Sequence, residues 1–257
     1  MVKESYWQDR FGGLGHTGWA DPVIYSYDQP ERLAILEAAL LRWSANRGEA
    51  LDFGCGTGDF CRLLLRLGYT ACGYDPYVQP QLSARGFTYA SSYEDISIKE
   101  HSATLVLSVT TLDHILEDHA FLKAITLIRR LLCQTGVFIF LEYALEPATD
   151  RAAFGLGRNY QSLRTLTDWR ISLERAGFRI SNVVPAPHPV LNPSPGYLAY
   201  TQARIVRLRG VCGSVPLVRS WFNPLLRRAA EKMIRGFPPT MQSAAESPLK
   251  LFLCVPK

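Results

Sequence analysis

Three glycines at alternate positions, Gly54, Gly56 and Gly58, stand in the run LDFGCGTGDF at 51–60, where a hydrophobic stretch ends and a helical pattern opens. Glycine adopts positive φ and lets a ligand reach the backbone without meeting a Cβ, and the first turn of a helix presents free N–H groups. The run therefore predicts a strand, a ligand-binding turn and a helix. The third glycine follows the second by two residues, whereas a dinucleotide fingerprint spaces them by three, and Asp59 holds that place. Lysine followed by Ser or Thr, which a phosphate-binding Walker loop needs, is missing as well. Both observations disfavour a dinucleotide or a bare phosphate chain as the ligand. A literal GxGxxG at Gly13, Gly15 and Gly18 follows aromatic and charged residues and precedes Trp-Ala-Asp-Pro, so it lacks the strand and helix and reads as an aromatic-rich loop.

Further along, GYD places Asp75 21 residues after Gly54, at the end of the next hydrophobic run. A carboxylate there can accept hydrogen bonds from both hydroxyls of a ribose. Asp113, His114 and Glu142 fall at the carboxyl ends of later runs, where ligands of open α/β sheets bind, and are the candidate general bases. Imidazole titrates near neutral pH, which favours His114. Each has a plainer alternative. His114 can order its loop, Asp113 can cap the next helix with Glu117, and Glu142 can be a solvated strand-end charge.

The elements that must position these groups alternate. Short β-rich runs at 50–55, 71–75, 87–91, 104–109, 137–143 and 178–184 are separated by helical patterns such as 60–67, 118–132 and 166–176, the signature of βαβ units and a parallel sheet. In the last helix Leu166, Trp169, Leu173 and Ala176 share one face, Thr165 with Asp168 resembles a capping box, and Gly177 supplies the stop. Another helix is expected from Asp28, as its cap, through Pro30 and Glu31 to about Trp43. The closing LKLFLCVPK has the composition of a seventh strand, and about 60 residues before it exceed a loop. The expected fold is an α/β, Rossmann-like, mostly parallel seven-stranded sheet with helices on both faces, an N-terminal lid segment and a helical insert before the last strand. Its expected parts are 1–45, lid and first helix; 46–186, core; 187–248, basic insert; and 249–257, last strand.

Composition agrees with one such domain plus an elaboration: 257 residues, net charge +5, 47% hydrophobic and 20% charged. The first residues carry no apolar signal-peptide core and no run approaches the ~20 residues of a transmembrane helix, so a cytoplasmic protein is expected. Six cysteines form no CxxC or Cys/His cluster, so neither a disulfide framework nor a zinc site is expected.

With LDFGCGTG as it stands here, GYD after it and LSVTTLDHI further on, the stretch 51–184 resembles the class I S-adenosylmethionine-dependent methyltransferases. The resemblance implies S-adenosylmethionine as cofactor, no metal, and a set of contacts. Gly54, Cys55, Gly56 and Gly58 would form the cofactor loop, and Asp52 would support that loop or the methionine amino group. Asp75 would hold the ribose, with Pro76 and Tyr77 against the adenine. Ser92 and Tyr93 would follow the third strand, serine standing where many members carry an acid. Ser108 and Val109 would lie under the cofactor. The aromatic N-terminal stretch, with Tyr6, Trp7, Phe11, His16, Trp19, Tyr25 and Tyr27, would fold over the site as a lid or pack on the sheet edge. In the lid reading Tyr25, Tyr27 and Arg32 close the methionine end, the arginine on its carboxylate.

The acceptor has to be read from the rest of the chain. Charge is segregated, +8 from residue 200 onward against −3 before it, and 216–236 places Val218, Trp221, Phe222, Leu225 and Leu226 beside Arg227, Arg228, Lys232 and Arg235. That pattern suits an interfacial or lid helix making peripheral membrane contact, and equally a helix packed on the core with solvated arginines. A small-molecule or lipid-linked acceptor, anionic in character, is the expected partner. The pI of about 8.9 raises a nucleic-acid methyltransferase as the runner-up, but no base-flipping Asn/Asp-Pro-Pro-Tyr/Phe run is present. A pseudoenzyme that keeps the cofactor fold would show a broken glycine loop or a lost ribose acid, and both are intact.

Overall fold

The computed structural model describes residues 5–16, 22–44, 46–77, 86–145, 161–186 and 249–257. Its elements in chain order are α1 (Ser5–Leu14), α2 (Pro22–Trp43), β1 (Glu49–Phe53), α3 (Asp59–Arg66), β2 (Thr70–Tyr74), β3 (Thr88–Ala90) and β4 (Ala103–Val109). A 3-10 turn (Leu112–His114), α4 (Asp118–Leu131), β5 (Leu132–Tyr143), α5 (Leu166–Arg175), β6 (Phe178–Pro185) and β7 (Leu249–Pro256) complete them. The seven strands form one sheet in the order β3-β2-β1-β4-β5-β7-β6. The first five run parallel, and β7 is antiparallel to both its neighbours. Chain order therefore reverses direction across the sheet between β1 and β4, the position at which a crevice opens at the carboxyl ends of parallel strands.

Central strands buried on both faces read as continuous apolar runs, and β4, ATLVLSV, is one. Two cores result. One face packs Phe53, Val106, Phe138, Phe140 and Phe252 against α4 and α5 through Phe121, Ile125, Ile128 and Trp169. The other packs Ala50, Leu105, Leu107 and Ile139 against Leu36 and Leu40 of α2 and Leu63 and Leu64 of α3. The expected α/β sheet with helices on both faces is present. The Thr165–Asp168 capping box forms in both directions, and Gly177 turns the chain at φ 85°.

Gly13, expected in a loop, lies in helix α1, and two boundaries differ from expectation by more than two residues. Helix α2 starts at Pro22 rather than at Asp28 and runs through Pro30. Asp28 is therefore not a cap. It is 1% exposed inside the helix and pairs with Arg32 one turn on, Oδ2 to Nε 2.7 Å. Strand β5 starts at Leu132 rather than Val137, because Leu132 pairs with Ala103 before the register jumps to Leu105 opposite Val137. The insert expected at 187–248, including 216–236, lies outside the described residues, as do Trp19 and the side chain of Tyr27.

Candidate active site

The glycine run becomes a turn in which Gly54, Gly56 and Gly58 have φ of 84°, 48° and 74°. Two of them answer to contacts as well. A Cβ on Gly54 would overlap Thr111 Oγ1, and one on Gly58 would overlap the Phe87 ring. The N–H groups of Gly54 and Cys55 both donate to the Tyr74 carbonyl, tying the turn to the end of β2. Asp75 follows, 8% exposed, its Oδ2 accepting from Gly56 N at 3.0 Å and its Oδ1 from Tyr77 N at 2.9 Å. Burial raises its pKa, and those two donors oppose the rise.

Beneath the loop Asp52 is fully buried, with Oδ2 accepting from the Cys61 thiol at 3.4 Å and Oδ1 without a hydrogen-bond partner. Burial lifts its pKa from 3.8 to about 7; the Cys61 contact opposes the rise, while the charges of Asp75 and Asp59 add to it. In this position the carboxyl joins β1 to α3 through Cys61. Because the folded pKa lies above the unfolded one, the native state holds the proton longer, so the contribution is present below pH ~4 and lost as pH rises toward ~7. Asp52→Asn, a neutral isostere, is expected to gain stability relative to the native chain across that window. Urea denaturation at a series of pH values checks this, and a stability difference independent of pH would contradict it.

Asp59 opens α3 and gathers the N-terminal region. Its carboxylate accepts from Thr57 Oγ1 at 2.8 Å, Gln29 Nε2 at 3.0 Å and Tyr25 OH at 3.4 Å, and it pairs with Arg62. The Tyr25 ring stacks on His16 with centroids 3.6 Å apart. Arg32, expected on a methionine carboxylate, has Nε on Asp28 and donates from Nη1 to Thr110 Oγ1 at 2.5 Å. Thr110, just past the end of β4, takes a φ of 46°, rare for a non-glycine residue. Tyr25 and Arg32 are thus both at the loop edge of the sheet.

The three candidate bases meet where β4 and β5 end. Asp113 and His114 lie in the 3-10 turn, with His114 Nε2 3.5 Å from Asp113 Oδ1. Gln161 Nε2 donates to Asp113 Oδ2 at 2.9 Å, and the Trp7 ring meets the His114 ring edge-to-face at 4.7 Å. Asp113 does not cap α4: the cap is Glu117, which makes no side-chain capping bond. Glu142 is 0% exposed, which overturns the solvated-charge alternative. Its Oε1 accepts from the N–H groups of Thr111 and Leu112, both at 2.7 Å. Its pKa is raised well above the ordinary value, by burial first and then by the Asp113 charge.

The remaining residues expected near the cofactor have these surroundings in the protein itself. Ser108 is buried and donates to the Phe53 carbonyl at 3.1 Å, locking β4 to β1, while Val109 is buried beside it. Ser92 donates to Asp95 Oδ2 within its own loop, and Tyr93 packs on Tyr74 with centroids 5.0 Å apart. Pro76 is exposed. Gln29, Asp59, Tyr89, Gln161 and Arg164 also contribute to this edge, although none stands in a motif of its own. Asp59 was legible as a first-turn acid beside the third glycine; the others stand far along the chain from what they touch. Tyr89 donates to the Gly56 carbonyl at 2.7 Å. Arg164, 6% exposed, donates to the Leu112 and Ile115 carbonyls beneath the His114 turn.

A mostly parallel sheet with this strand order, a glycine turn after β1 and an acid after β2 together define the class I methyltransferase fold. Residues 25–186 match the family model described as a methyltransferase domain, and the chain belongs to that family, which uses S-adenosylmethionine. No curated protein shows a significant match. Solved structures of similar fold include phosphoethanolamine N-methyltransferase 2 of Haemonchus contortus, determined with phosphomonomethylethanolamine and S-adenosylhomocysteine. That similarity has a TM-score of 0.59 and 16% identity and covers all of this chain and 61% of the other. The cyclopropane synthase MmaA2 of Mycobacterium tuberculosis gives 0.57 at 13% identity, over 92% of this chain and 94% of that one. A protein of Galdieria sulphuraria, provisionally named a sarcosine dimethylglycine methyltransferase, also gives 0.57, at 19% identity over 96% and 97%.

The residues fit the cofactor. A carboxylate has about four acceptor sites, so Asp75, with two backbone donors, keeps capacity for two ribose hydroxyls. The glycine turn beside it leaves backbone open to a ligand. Among the described residues no group of His, Cys, Asp and Glu is arranged to hold a metal, and no helix is long and apolar enough to cross a membrane.

Proposed function

We propose that the chain transfers the methyl group of S-adenosylmethionine to a small-molecule or lipid-linked acceptor in the cytoplasm, with Asp75 on the ribose and His114 facing the acceptor. The observation that carries this reading is the convergence of the glycine turn, Asp75 and the Asp113–His114 pair on one edge of the sheet. The bound cofactor supplies a methyl group on a sulfonium, ready for in-line displacement. The chain has to align the acceptor, exclude water and accept a proton. Trp7 covers one side of His114, which supports α1 as part of the water-excluding cover. Asp113, itself held by Gln161, sets the imidazole orientation and stabilises its protonated form once His114 has taken the acceptor's proton. The insert at 187–248 would supply the rest of the acceptor pocket, and its basic 216–236 stretch suits an anionic acceptor or a membrane surface.

The test is S-adenosylhomocysteine release in the presence of a chelator, across small-molecule and lipid-linked acceptors. With the acceptor so found, His114→Gln is expected to lower turnover about 10²-fold while S-adenosylmethionine affinity stays put. Wild-type turnover in that variant would return His114 to loop ordering. No methyl transfer to any acceptor, with cofactor binding intact, would favour a binding module.

A further inference from the structure

Glu142 is the buried acid that methyl transfer, as derived above, does not use. It stands near the end of β5, fully enclosed, and one of its oxygens takes two consecutive backbone N–H groups, those of Thr111 and Leu112. Those two residues lead in opposite directions into the site. Thr111 rests on the glycine turn: its Oγ1 lies 3.5 Å from the Gly54 carbonyl, and it fills the space a Gly54 side chain would need. Leu112 begins the 3-10 turn whose next two residues are Asp113 and His114. Thr111 precedes the 3-10 turn and Leu112 is its first residue, so without Glu142 the part-buried Thr111 donor and the buried Leu112 donor would lack an acceptor, at a cost of up to about 1–3 kcal/mol each.

Resting on the methyltransferase reading, we propose that Glu142 is a positioning residue that joins the cofactor loop to His114 through the Thr111 and Leu112 amides, and is not itself the base. Its working atom is an accepting oxygen, and a neutral side chain can provide that. The charged groups facing it are Asp113 from the 3-10 turn and Arg164 from the segment before α5. An enclosed carboxyl beside the Asp113 carboxylate is held toward its protonated form. Nothing in the proposal needs it ionised. A shift of the turn would move His114 and Gly54 together, and a displacement of about 1 Å costs up to ~10²-fold in reactions that depend on alignment.

Two variants separate positioning from catalysis and from simple bulk. Glu142→Gln keeps the accepting oxygen and cannot act as a base, while Glu142→Met keeps the volume and removes the acceptor. Three readouts apply to the full chain: hydrogen exchange at the Thr111 and Leu112 amides, the nuclear Overhauser contact between Trp7 and His114, and calorimetric binding of S-adenosylhomocysteine. In E142M the two amides should exchange at least ~10-fold faster than in the native chain, with the core β5 amides little changed. The Trp7–His114 contact should weaken, and S-adenosylhomocysteine should bind about tenfold less tightly, about 1.4 kcal/mol. E142Q should match the native chain in all three. The proposal is overturned if E142M matches the native chain, or if E142Q is as damaged as E142M, since charge or proton transfer would then be what Glu142 supplies. Should E142M fail to fold, E142Q alone decides in the same way. A native chain that binds no S-adenosylhomocysteine would defeat the functional reading, and the two magnetic-resonance readouts, which need no ligand, would still judge Glu142.

Discussion

Replacing Asp75 by alanine should weaken S-adenosylmethionine binding by two orders of magnitude or more in calorimetric titration. Two hydrogen bonds from ribose hydroxyls to a buried carboxylate, at about 1.5–3 kcal/mol each, correspond to a factor of ~10² to 10⁴. The same change leaves the Gly56 and Tyr77 N–H groups without their acceptor, so the glycine turn loosens as well. The two effects separate with a ligand that lacks both ribose hydroxyls: loosening of the turn weakens that ligand too, whereas loss of the ribose contacts does not. Unchanged affinity for S-adenosylmethionine in the variant would remove Asp75 from the cofactor site. Gly56→Val should bind still less, because Gly56 has a φ of 48° and a branched side chain resists that conformation.

The second large effect lies in the core that holds the same edge in place. Trp169 is 0% exposed and meets Phe121, Phe140 and Phe252 with ring centroids 5.4, 5.1 and 5.8 Å away. Its indole N–H donates to the Tyr143 carbonyl at 2.9 Å, next in the chain to Glu142. Trp169→Ala should cost about 3–5 kcal/mol in urea denaturation, from lost transfer free energy and the cavity left behind. Against a domain stability of roughly 5–15 kcal/mol, that removes between about a fifth and all of it. Trp169→Phe, which fills part of the space and loses the N–H, should fall between the two. A loss under ~1 kcal/mol for the alanine variant would mean that α5 collapses onto the sheet and fills the void.

How much of this was legible before folding depends on the range of the interaction. The succession of strands along the chain, the glycine turn, Asp75 and the capping box of α5 rest on periodicity, on φ preferences and on contacts within a few residues, and the linear sequence carries those directly, whereas the order β3-β2-β1-β4-β5-β7-β6 in the sheet is set by long-range pairing. Asp28 shows where such reading fails: beside Pro30 it looks like a helix cap, yet it lies one turn from Arg32 inside a helix that began at Pro22. Glu142 looked like a surface charge or a base, because nothing near it in sequence reveals that Thr111 and Leu112, some 30 residues earlier, would need its oxygen. Gln161 on Asp113, Trp7 on His114 and Tyr89 on Gly56 are of the same kind. The sequence by itself determined the class of fold, the glycine turn after β1 and the acid after β2. Only the tertiary structure decided which of three acids and bases is enclosed, which is propped and which is covered by an aromatic ring, because burial and partner geometry arise when β4, β5 and α1 are brought together across the sheet.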